Sequence, residues 1–193
     1  MGVIRNTTVK NCIIAIWEIT ETLDELLQLS HVISTADFNT EKRKKEWLAS
    51  RLLLNEINPN YSISYNEFDA PELNNGSYIS ISHSKGLVAI IISQQQVGID
   101  IEEISEKALR VSTKFVSTNN LKALTAEKAT LIWCCKEAIY KWHQKGEVDF
   151  IADIKLHPFK SLEKGEITAK FRDTQLILHY QKIHNHYLVY VCK

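Results

Sequence analysis

The sequence has no excess of one charge, no long apolar run and no paired cysteine motif. Twenty-three Lys and Arg residues balance twenty-three Asp and Glu, so no overall field draws the chain to nucleic acid or to an anionic membrane. The longest apolar stretches, such as 87–93, are much shorter than the roughly 20 residues of a membrane span. No charged segment followed by a long apolar run opens the sequence, so we predict no signal peptide and expect a cytoplasmic protein.

The cysteines have no pattern that indicates a metal site. Cys12, Cys134, Cys135 and Cys192 form no CxxC pair, and no histidine lies at zinc-ligand spacing from them. We therefore predict that they are buried, reduced thiols.

The first half of the chain combines one strong helical pattern with several short strand patterns. Residues 12–19 are rich in β-branched and aromatic side chains and predict a strand, whereas 40–57 begin with a threonine cap and predict a long helix. Further strands are predicted at 61–65, 77–82, 87–93 and 97–101.

The second half repeats the order of helix and then strands. Helical patterns cover 107–116 and 125–145, and strands are predicted at 150–156, 166–172, 175–182 and 187–192, with a hairpin turn at His184 and Asn185. We predict an α+β fold of two similar α/β subdomains in a pseudo-twofold arrangement, 1–102 and 103–193. Each is expected to be a long helix packed on antiparallel strands.

Two acidic residues alternate with apolar ones on the strand at 97–102. The period of two puts Asp100 and Glu102 on one face, while Ile99 and Ile101 point to the other. Two carboxylates held so close repel unless a cation or a shared proton lies between them, and an all-oxygen pair suits Mg²⁺. An acidic, solvent-exposed strand face is the alternative that this pair alone favours.

Two further segments carry polar chemistry. On the long helix, Trp133, Glu137 and Lys141 are spaced four apart and form one stripe, with Lys136 beside it. Such a Glu and Lys pair is more often a solvated surface pair. The third segment, 80–86, ends a strand in polar residues, and a lone His83 there is more often a turn residue than a ligand.

Together, in this order, the three segments resemble the 4′-phosphopantetheinyl transferases, and within them the larger single-chain type that activates surfactin synthetase. The hallmarks of that family are an (I)SHS segment, a (V/I)G(V/I)D(I/V)E strand and a WxxKE(A/S)xxK helix, which correspond here to 81–84, 97–102 and 133–141. The resemblance extends from the helix at 42–54 through Lys141. It implies transfer of the phosphopantetheine arm of coenzyme A to a serine of an apo acyl- or peptidyl-carrier protein.

The resemblance also implies a role for each matching position. The expected magnesium ligands, which can hold Mn²⁺ as well, are Asp100, Glu102 and Glu137. The expected catalytic residues are Glu137, Lys136 and Lys141, and the residues expected to bind coenzyme A are Arg51, Ser82, His83, Lys136 and Lys141. Trp133 is expected to pack the helix rather than to contact substrate.

The reaction needs this kind of set. A serine hydroxyl attacks the β-phosphorus of coenzyme A and expels 3′,5′-ADP, and Mg²⁺ with two lysines offsets the charge that develops. Glu137 or Glu102 can take the serine proton, directly or, as we favour, through a metal-bound water.

The chain departs from the family pattern at two places. The family's YGKP-like turn, whose lysine helps to bind coenzyme A, corresponds here to Phe68, Asp69, Ala70 and Pro71, which include no lysine. Arg51 matches the arginine of the AGRxLL segment, but the upstream arginine thought to bind the 3′-phosphate is absent. The basic run 42–45 can replace it or can be a solvated helix face.

Two other functions remain open from the sequence. A non-catalytic relative that binds coenzyme A or a carrier protein is disfavoured because all the matching charged residues are retained, and an interaction scaffold would make the motifs a coincidence. The two-subdomain layout places the site between the halves of one chain and predicts a monomer.

Overall fold

The computed structural model describes residues 3–9, 11–30, 38–117, 121 and 124–193. Two antiparallel sheets, of six and five strands, each pack against one long helix. The predicted α+β class, with a long helix on each antiparallel sheet, is confirmed. Among the described residues, none of the helices has the length and apolar character that a bilayer crossing requires.

The first sheet contains the strands of the N-terminal half in the order β1-β2-β6-β5-β4-β3. Their bounds are β1 (Val3–Val9), β2 (Cys12–Glu18), β3 (Ile63–Tyr65), β4 (Pro71–Leu73), β5 (Tyr78–Ser84) and β6 (Leu87–Ser93). Helices α1 (Leu23–Ser30) and α2 (Glu41–Ile57) lie between β2 and β3 in the chain. The Thr40 side chain caps α2 by accepting the Arg43 N–H at 3.3 Å, and buried leucines such as Leu48 and Leu53 join α2 to the core of this sheet.

The second sheet has the order β7-β11-β10-β9-β8. Its strands are β7 (Val97–Glu103), β8 (Ile154–Leu156), β9 (Lys164–Phe171), β10 (Thr174–Ile183) and β11 (His186–Cys192). Helix α3 (Glu106–Arg110), a 3-10 turn (Ser112–Lys114) and helix α4 (Ala126–His143) connect β7 to β8.

Gly98 allows α4 to lie directly on β7. A Cβ atom at position 98 would overlap the Ala138 carbonyl oxygen and would lie 2.6 Å from the Trp142 backbone nitrogen. Only a residue without a side chain permits this approach. The glycine therefore brings the backbone of α4 to the strand that carries Asp100 and Glu102.

The structure adds and shortens elements relative to the predictions. Strands β1 and β4 were not predicted, and the helix predicted at 107–116 ends at Arg110 and continues as the 3-10 turn. The strand predicted from residue 150 begins only at Ile154, because the Asp149 side chain accepts the N–H groups of Ile151 and Ala152, both at 2.8 Å, and forms a turn. The predicted hairpin turn is confirmed, with His184 at a φ of 50°.

The predicted boundary after residue 102 falls inside β7. This strand is hydrogen bonded to β11 and so belongs to the second sheet, although it also packs against β5 of the first. A division by sheets lies between β6 and β7, and the two-unit division at residue 102 stays a prediction. The four cysteines are not joined in disulfide bonds, and three of them are buried, as predicted, while Cys192 is partly exposed.

Candidate active site

A ladder of serine hydroxyls joins the two sheets at the centre of the molecule. Alternate residues of β5 point toward β7 because side chains on a strand repeat with a period of two. Each serine oxygen accepts a backbone N–H of β7: Ser80 from Ile99 at 3.1 Å, Ser82 from Ile101 at 3.2 Å and Ser84 from Glu103 at 3.1 Å. The ladder places the SHS segment beside the acidic strand.

Asp100 is buried at this junction, with only 3% of the residue exposed. Its Oδ1 accepts the Ser82 hydroxyl at 2.7 Å and the Lys141 Nζ at 2.6 Å. Its Oδ2 is also buried and has no hydrogen-bond partner among the residues that the structure describes. The nearby Cys134 thiol donates to the Tyr187 carbonyl oxygen at 3.4 Å.

Glu102 lies one pleat further along β7. The Trp133 indole donates to its Oε1 at 3.2 Å, and the Ser84 hydroxyl lies 3.4 Å from its Oε2. Burial, and after it the charge of Asp100, raises the pKa of Glu102 above its ordinary value. Trp133 thus packs the helix, as expected, and also holds a carboxylate.

Helix α4 brings the third carboxylate and a lysine to the same place. The Thr125 side chain caps this helix, and the spacing of four puts Glu137 and Lys141 on the face toward β7. Burial, then the charges of Asp100 and Glu102, raise the pKa of Glu137 to about 7. Burial alone would lower the pKa of Lys141, but the Asp100 carboxylate and Glu137 outweigh it and raise this pKa.

This group of side chains suits a hard divalent cation chemically. Three carboxylates repel one another there, and a buried carboxylate oxygen lacks a partner. Carboxylate oxygens are the ligands that Mg²⁺ prefers. However, within the described part of the chain no three His, Cys, Asp or Glu side chains are already arranged to hold one ion. Without a cation, each β7 carboxylate is held by its neighbouring donors, so the predicted magnesium site stays a prediction.

His83 connects β5 to helix α2 rather than forming an isolated turn residue. Its Nδ1 lies 3.3 Å from the carboxylate of Glu46, which is 4% exposed, and its Nε2 lies 3.2 Å from Arg43 Nη1. Because the guanidinium can only donate, Nε2 accepts and Nδ1 carries the proton. Burial, opposed by Glu46, lowers the pKa of His83.

Arg51 lines the same cleft as His83 and Lys141. Its guanidinium donates to the Tyr65 hydroxyl at 2.8 Å and lies over the Trp47 ring, 4.4 Å from its centroid. The cleft has a volume of about 470 Å³ and lies between the two halves of the chain. Its other lining includes the exposed rings of Phe68 and Tyr140 and the turn that departs from the family pattern.

Lys136 does not reach this cluster. Its Nζ donates to the backbone carbonyl oxygens of Phe150 and Ile154, on another side of α4, where it lines a separate cavity. Burial lowers the pKa of Lys136 to about 8. The structure therefore brings together Asp100, Glu102, Glu137, Lys141, Ser82, His83 and Arg51 but leaves Lys136 outside.

The sequence reasoning missed the buried partners of these residues. Ser84 had a detectable signal, since the alternation of Ser80, Ser82 and Ser84 has the same period as that of Asp100 and Glu102. Glu46 gave none, because its partner His83 lies far away in the chain. Two members of the basic run 42–45 approach the Glu46 carboxylate, Lys42 at 3.6 Å and Arg43 at 4.0 Å, and Arg43 also contacts His83, although both side chains are mostly exposed.

Two comparisons with known proteins bear on this geometry. A family model described as the 4′-phosphopantetheinyl transferase superfamily matches residues 96–192. The chain is also 32% identical over 111 residues to the 4′-phosphopantetheinyl transferase gsp of Aneurinibacillus migulanus, across 52% of this chain and 47% of that relative. The chain thus spans about half the length of the curated relative that it matches. The family match includes β7 and α4, which carry the three carboxylates and Lys141.

Proposed function

The chain belongs to the 4′-phosphopantetheinyl transferase superfamily, and from this premise we propose that it transfers 4′-phosphopantetheine from coenzyme A to a serine of an apo acyl- or peptidyl-carrier protein. The observation that carries the proposal is the convergence of Asp100, Glu102, Glu137 and Lys141, of which Lys141 also lines the cleft. Carboxylates with a lysine are what a phosphoryl-transfer centre uses to organise charge.

Asp100, Glu102 and Glu137 would hold Mg²⁺, or Mn²⁺ in its place. When bound, the cation supplies positive charge that offsets the charge developing on the transferred phosphoryl group. The unpaired Oδ2 of Asp100 supports this role as an available ligand atom. The raised pKa values of Glu102 and Glu137 support it as well, because burial and then the neighbouring carboxylates disfavour their ionised forms, which a bound cation would stabilise.

The cleft suits coenzyme A in both charge and shape. We assign the phosphate groups to basic side chains that line it, among them Arg51, His83 and Lys141, and the organic part of the molecule to the exposed aromatic rings beside them. Lys141 supports this assignment most directly, since its ammonium group already pairs with Asp100 next to the carboxylates. Lys136 has no part in it, because its ammonium group is bound to backbone carbonyls elsewhere.

The reaction forms a bond between the carrier serine oxygen and the β-phosphorus and breaks the bond from that phosphorus to 3′,5′-ADP. The serine proton leaves with a base of the protein. Glu137 fits this task because burial raises its pKa to about 7, so it binds a proton more readily than an exposed glutamate. Lys141 holds positive charge beside the departing phosphate.

We also propose that one chain acts alone and that it acts in the cytoplasm. Every side chain of the site comes from a single chain, including those of α2, β5, β7 and α4. Cysteines that are not joined in disulfide bonds, as all four are here, are typical of a reducing compartment. The balanced charge gives no reason to add nucleic acid or an anionic membrane to the partners.

The test is incubation of the purified chain with coenzyme A, Mg²⁺ and several apo-carrier proteins, followed by mass spectrometry of the carriers and measurement of 3′,5′-ADP. We expect at least one carrier to gain one phosphopantetheine with an equal amount of 3′,5′-ADP. The matched control is the same carrier with its acceptor serine replaced by alanine. Binding of coenzyme A without modification of any carrier would instead support the non-catalytic relative and contradict the proposal.

A further inference from the structure

The Ser82 hydroxyl uses all of its hydrogen-bonding capacity inside the protein. It donates to Asp100 Oδ1 at 2.7 Å and accepts from the Ile101 N–H at 3.2 Å and from Lys141 Nζ at 2.9 Å. A hydroxyl has one proton to donate and two lone pairs to accept with. Since Ser82 is also only 4% exposed and its single proton is donated to Asp100, it has no proton left to donate to a phosphate of coenzyme A, the contact that the sequence predicts.

The same three bonds determine how Asp100 is presented. Ser82 and Lys141 both bind Oδ1, so that oxygen is occupied, whereas Oδ2 is buried and lacks a partner among the described residues. We infer that Ser82 is a positioning residue of the metal site, which fixes the Asp100 carboxylate and the Lys141 ammonium relative to each other and leaves Oδ2 for the cation. This inference rests on the proposed function, because it presumes the cation.

Comparison of Ser82 with the neighbouring Ser80 and Ser84 distinguishes this positioning role from the joining of the two sheets. Ser80 is equally buried and accepts the Ile99 N–H at 3.1 Å, but the residue of β7 opposite it in the pattern is Gly98, which has no carboxylate. Ser84 accepts the Glu103 N–H and lies 3.4 Å from Glu102, so its contact with a carboxylate is longer than that of Ser82. All three serines thus accept a backbone N–H of β7, but they differ in their contact with a carboxylate.

The experiment compares Mn²⁺ binding to Ser80→Ala, Ser82→Ala and Ser84→Ala in the presence of coenzyme A and without a carrier protein. Electron paramagnetic resonance of free Mn²⁺ gives the affinity without any turnover. We expect Ser82→Ala to weaken Mn²⁺ binding roughly 10- to 100-fold, as loss of a partner of a metal ligand does, and Ser84→Ala to weaken it less. Ser80→Ala should keep the wild-type affinity.

Thermal unfolding supplies the matched control. All three variants lose an acceptor for a backbone N–H group of β7, so each melting temperature should fall, and that of Ser82→Ala should fall furthest because the buried Asp100 also loses a donor. A single cooperative transition shows that each variant is folded when Mn²⁺ binding is measured. Ser82→Cys covers the case in which Ser82→Ala does not fold. A thiol is somewhat larger than a hydroxyl group, so it leaves no cavity, but it is a weak donor and acceptor. Mn²⁺ affinity should therefore still fall.

Two results overturn different statements. Wild-type affinity for Mn²⁺ in Ser82→Ala or Ser82→Cys, or an equal loss in all three alanine variants, overturns the positioning role and leaves the proposed function intact. Failure of the wild-type chain itself to bind Mn²⁺ with coenzyme A overturns the metal site, and this inference with it.

Discussion

Lys136 and Lys141 are on the same helix, but their ammonium groups reach different surroundings. Lys141 Nζ pairs with Asp100, whereas Lys136 Nζ donates to the carbonyl oxygens of Phe150 and Ile154. The first contact has the chemistry of a phosphate site, and the second ties α4 to the turn before β8. The two lysines of one motif therefore have different surroundings, because the helix directs their side chains to different neighbours.

Replacing each lysine by methionine should separate the two roles. Lys136→Met leaves two carbonyl oxygens without their donor and should lower the free energy of unfolding by about 1–3 kcal/mol, with the KM for coenzyme A unchanged. Lys141→Met should raise that KM and lower kcat. Denaturant unfolding and steady-state kinetics measure the two effects. A raised KM in Lys136→Met, with the fold intact, would contradict the assignment.

Removal of one negative charge from the carboxylates tests the metal site at single residues. Asp100→Asn and Glu137→Gln keep the shape but weaken the attraction for a hard cation, and each should slow transfer about a thousandfold, equivalent to about 4 kcal/mol. A chelator should abolish activity, and Mg²⁺ or Mn²⁺ should restore it. Glu56→Gln, an exposed carboxylate at the end of α2, serves as the control. Transfer at normal rates in excess chelator would exclude the metal.

At the scale of elements, the site depends on how closely α4 approaches β7. Gly98→Ala puts a methyl group into the backbone of α4 at Ala138 and Trp142. Neither backbone can move without disturbing the core, so we expect the free energy of unfolding to fall by about 3 kcal/mol or more. The measurement is chemical denaturation. Gly76→Ala is a contrasting variant, because nothing lies near its added methyl group and its cost is only that of a side chain at a φ of 77°, which should be smaller. Unchanged stability of Gly98→Ala would refute this account of the packing.

The contact between α2 and β5 also gives a prediction. Burial lowers the pKa of His83 and the Glu46 carboxylate opposes that effect, so Glu46→Gln should lower the pKa of His83 further. Protonation of His83 should then require a lower pH than in the wild-type chain. Glu41→Gln changes an exposed carboxylate of the same helix and should leave the pKa of His83 unchanged. Nuclear magnetic resonance titration of His83 tests the shift, and a pKa that rises would be the contrary result.

At the scale of the whole molecule, buried histidines make stability depend on pH. Burial, opposed by Glu103, lowers the pKa of His186 in the folded state, and burial also lowers that of His143. The unfolded chain takes up protons near its ordinary pKa of about 6.5, before the folded chain does. The stability that these histidines contribute should therefore decrease as the pH falls through that value and be fully retained above it, whereas Glu137, with its pKa raised to about 7, contributes with the opposite sign over this range.

His186→Asn should reduce this dependence. Denaturant unfolding at a series of pH values from about 7.5 to about 5 gives the slope, which reports the difference in protons bound by the unfolded and folded chains. We expect a smaller slope for the variant than for the wild-type chain. Equal slopes for the two proteins would show that His186 does not contribute.

Much of this protein follows from its sequence because the signals are local. The period of two in the 97–102 strand put Asp100 and Glu102 on one face, and the spacing of four in the 133–141 helix aligned Glu137 with Lys141, as the structure has them. Caps, turn residues and apolar periodicity likewise predicted both long helices and the antiparallel strands other than β1 and β4. Each of these properties depends only on neighbours within a few residues.

Only the tertiary structure decided which groups meet across the chain. It directed Lys136 to carbonyl oxygens, filled the hydrogen-bonding capacity of Ser82, joined the Glu46 carboxylate to His83 and placed β7 in the second sheet. None of these has a local signal, because each partner lies far away in sequence and is chosen by the packing of whole elements. The sequence alone therefore identified the chemical groups, and the packing determined which of them share the site.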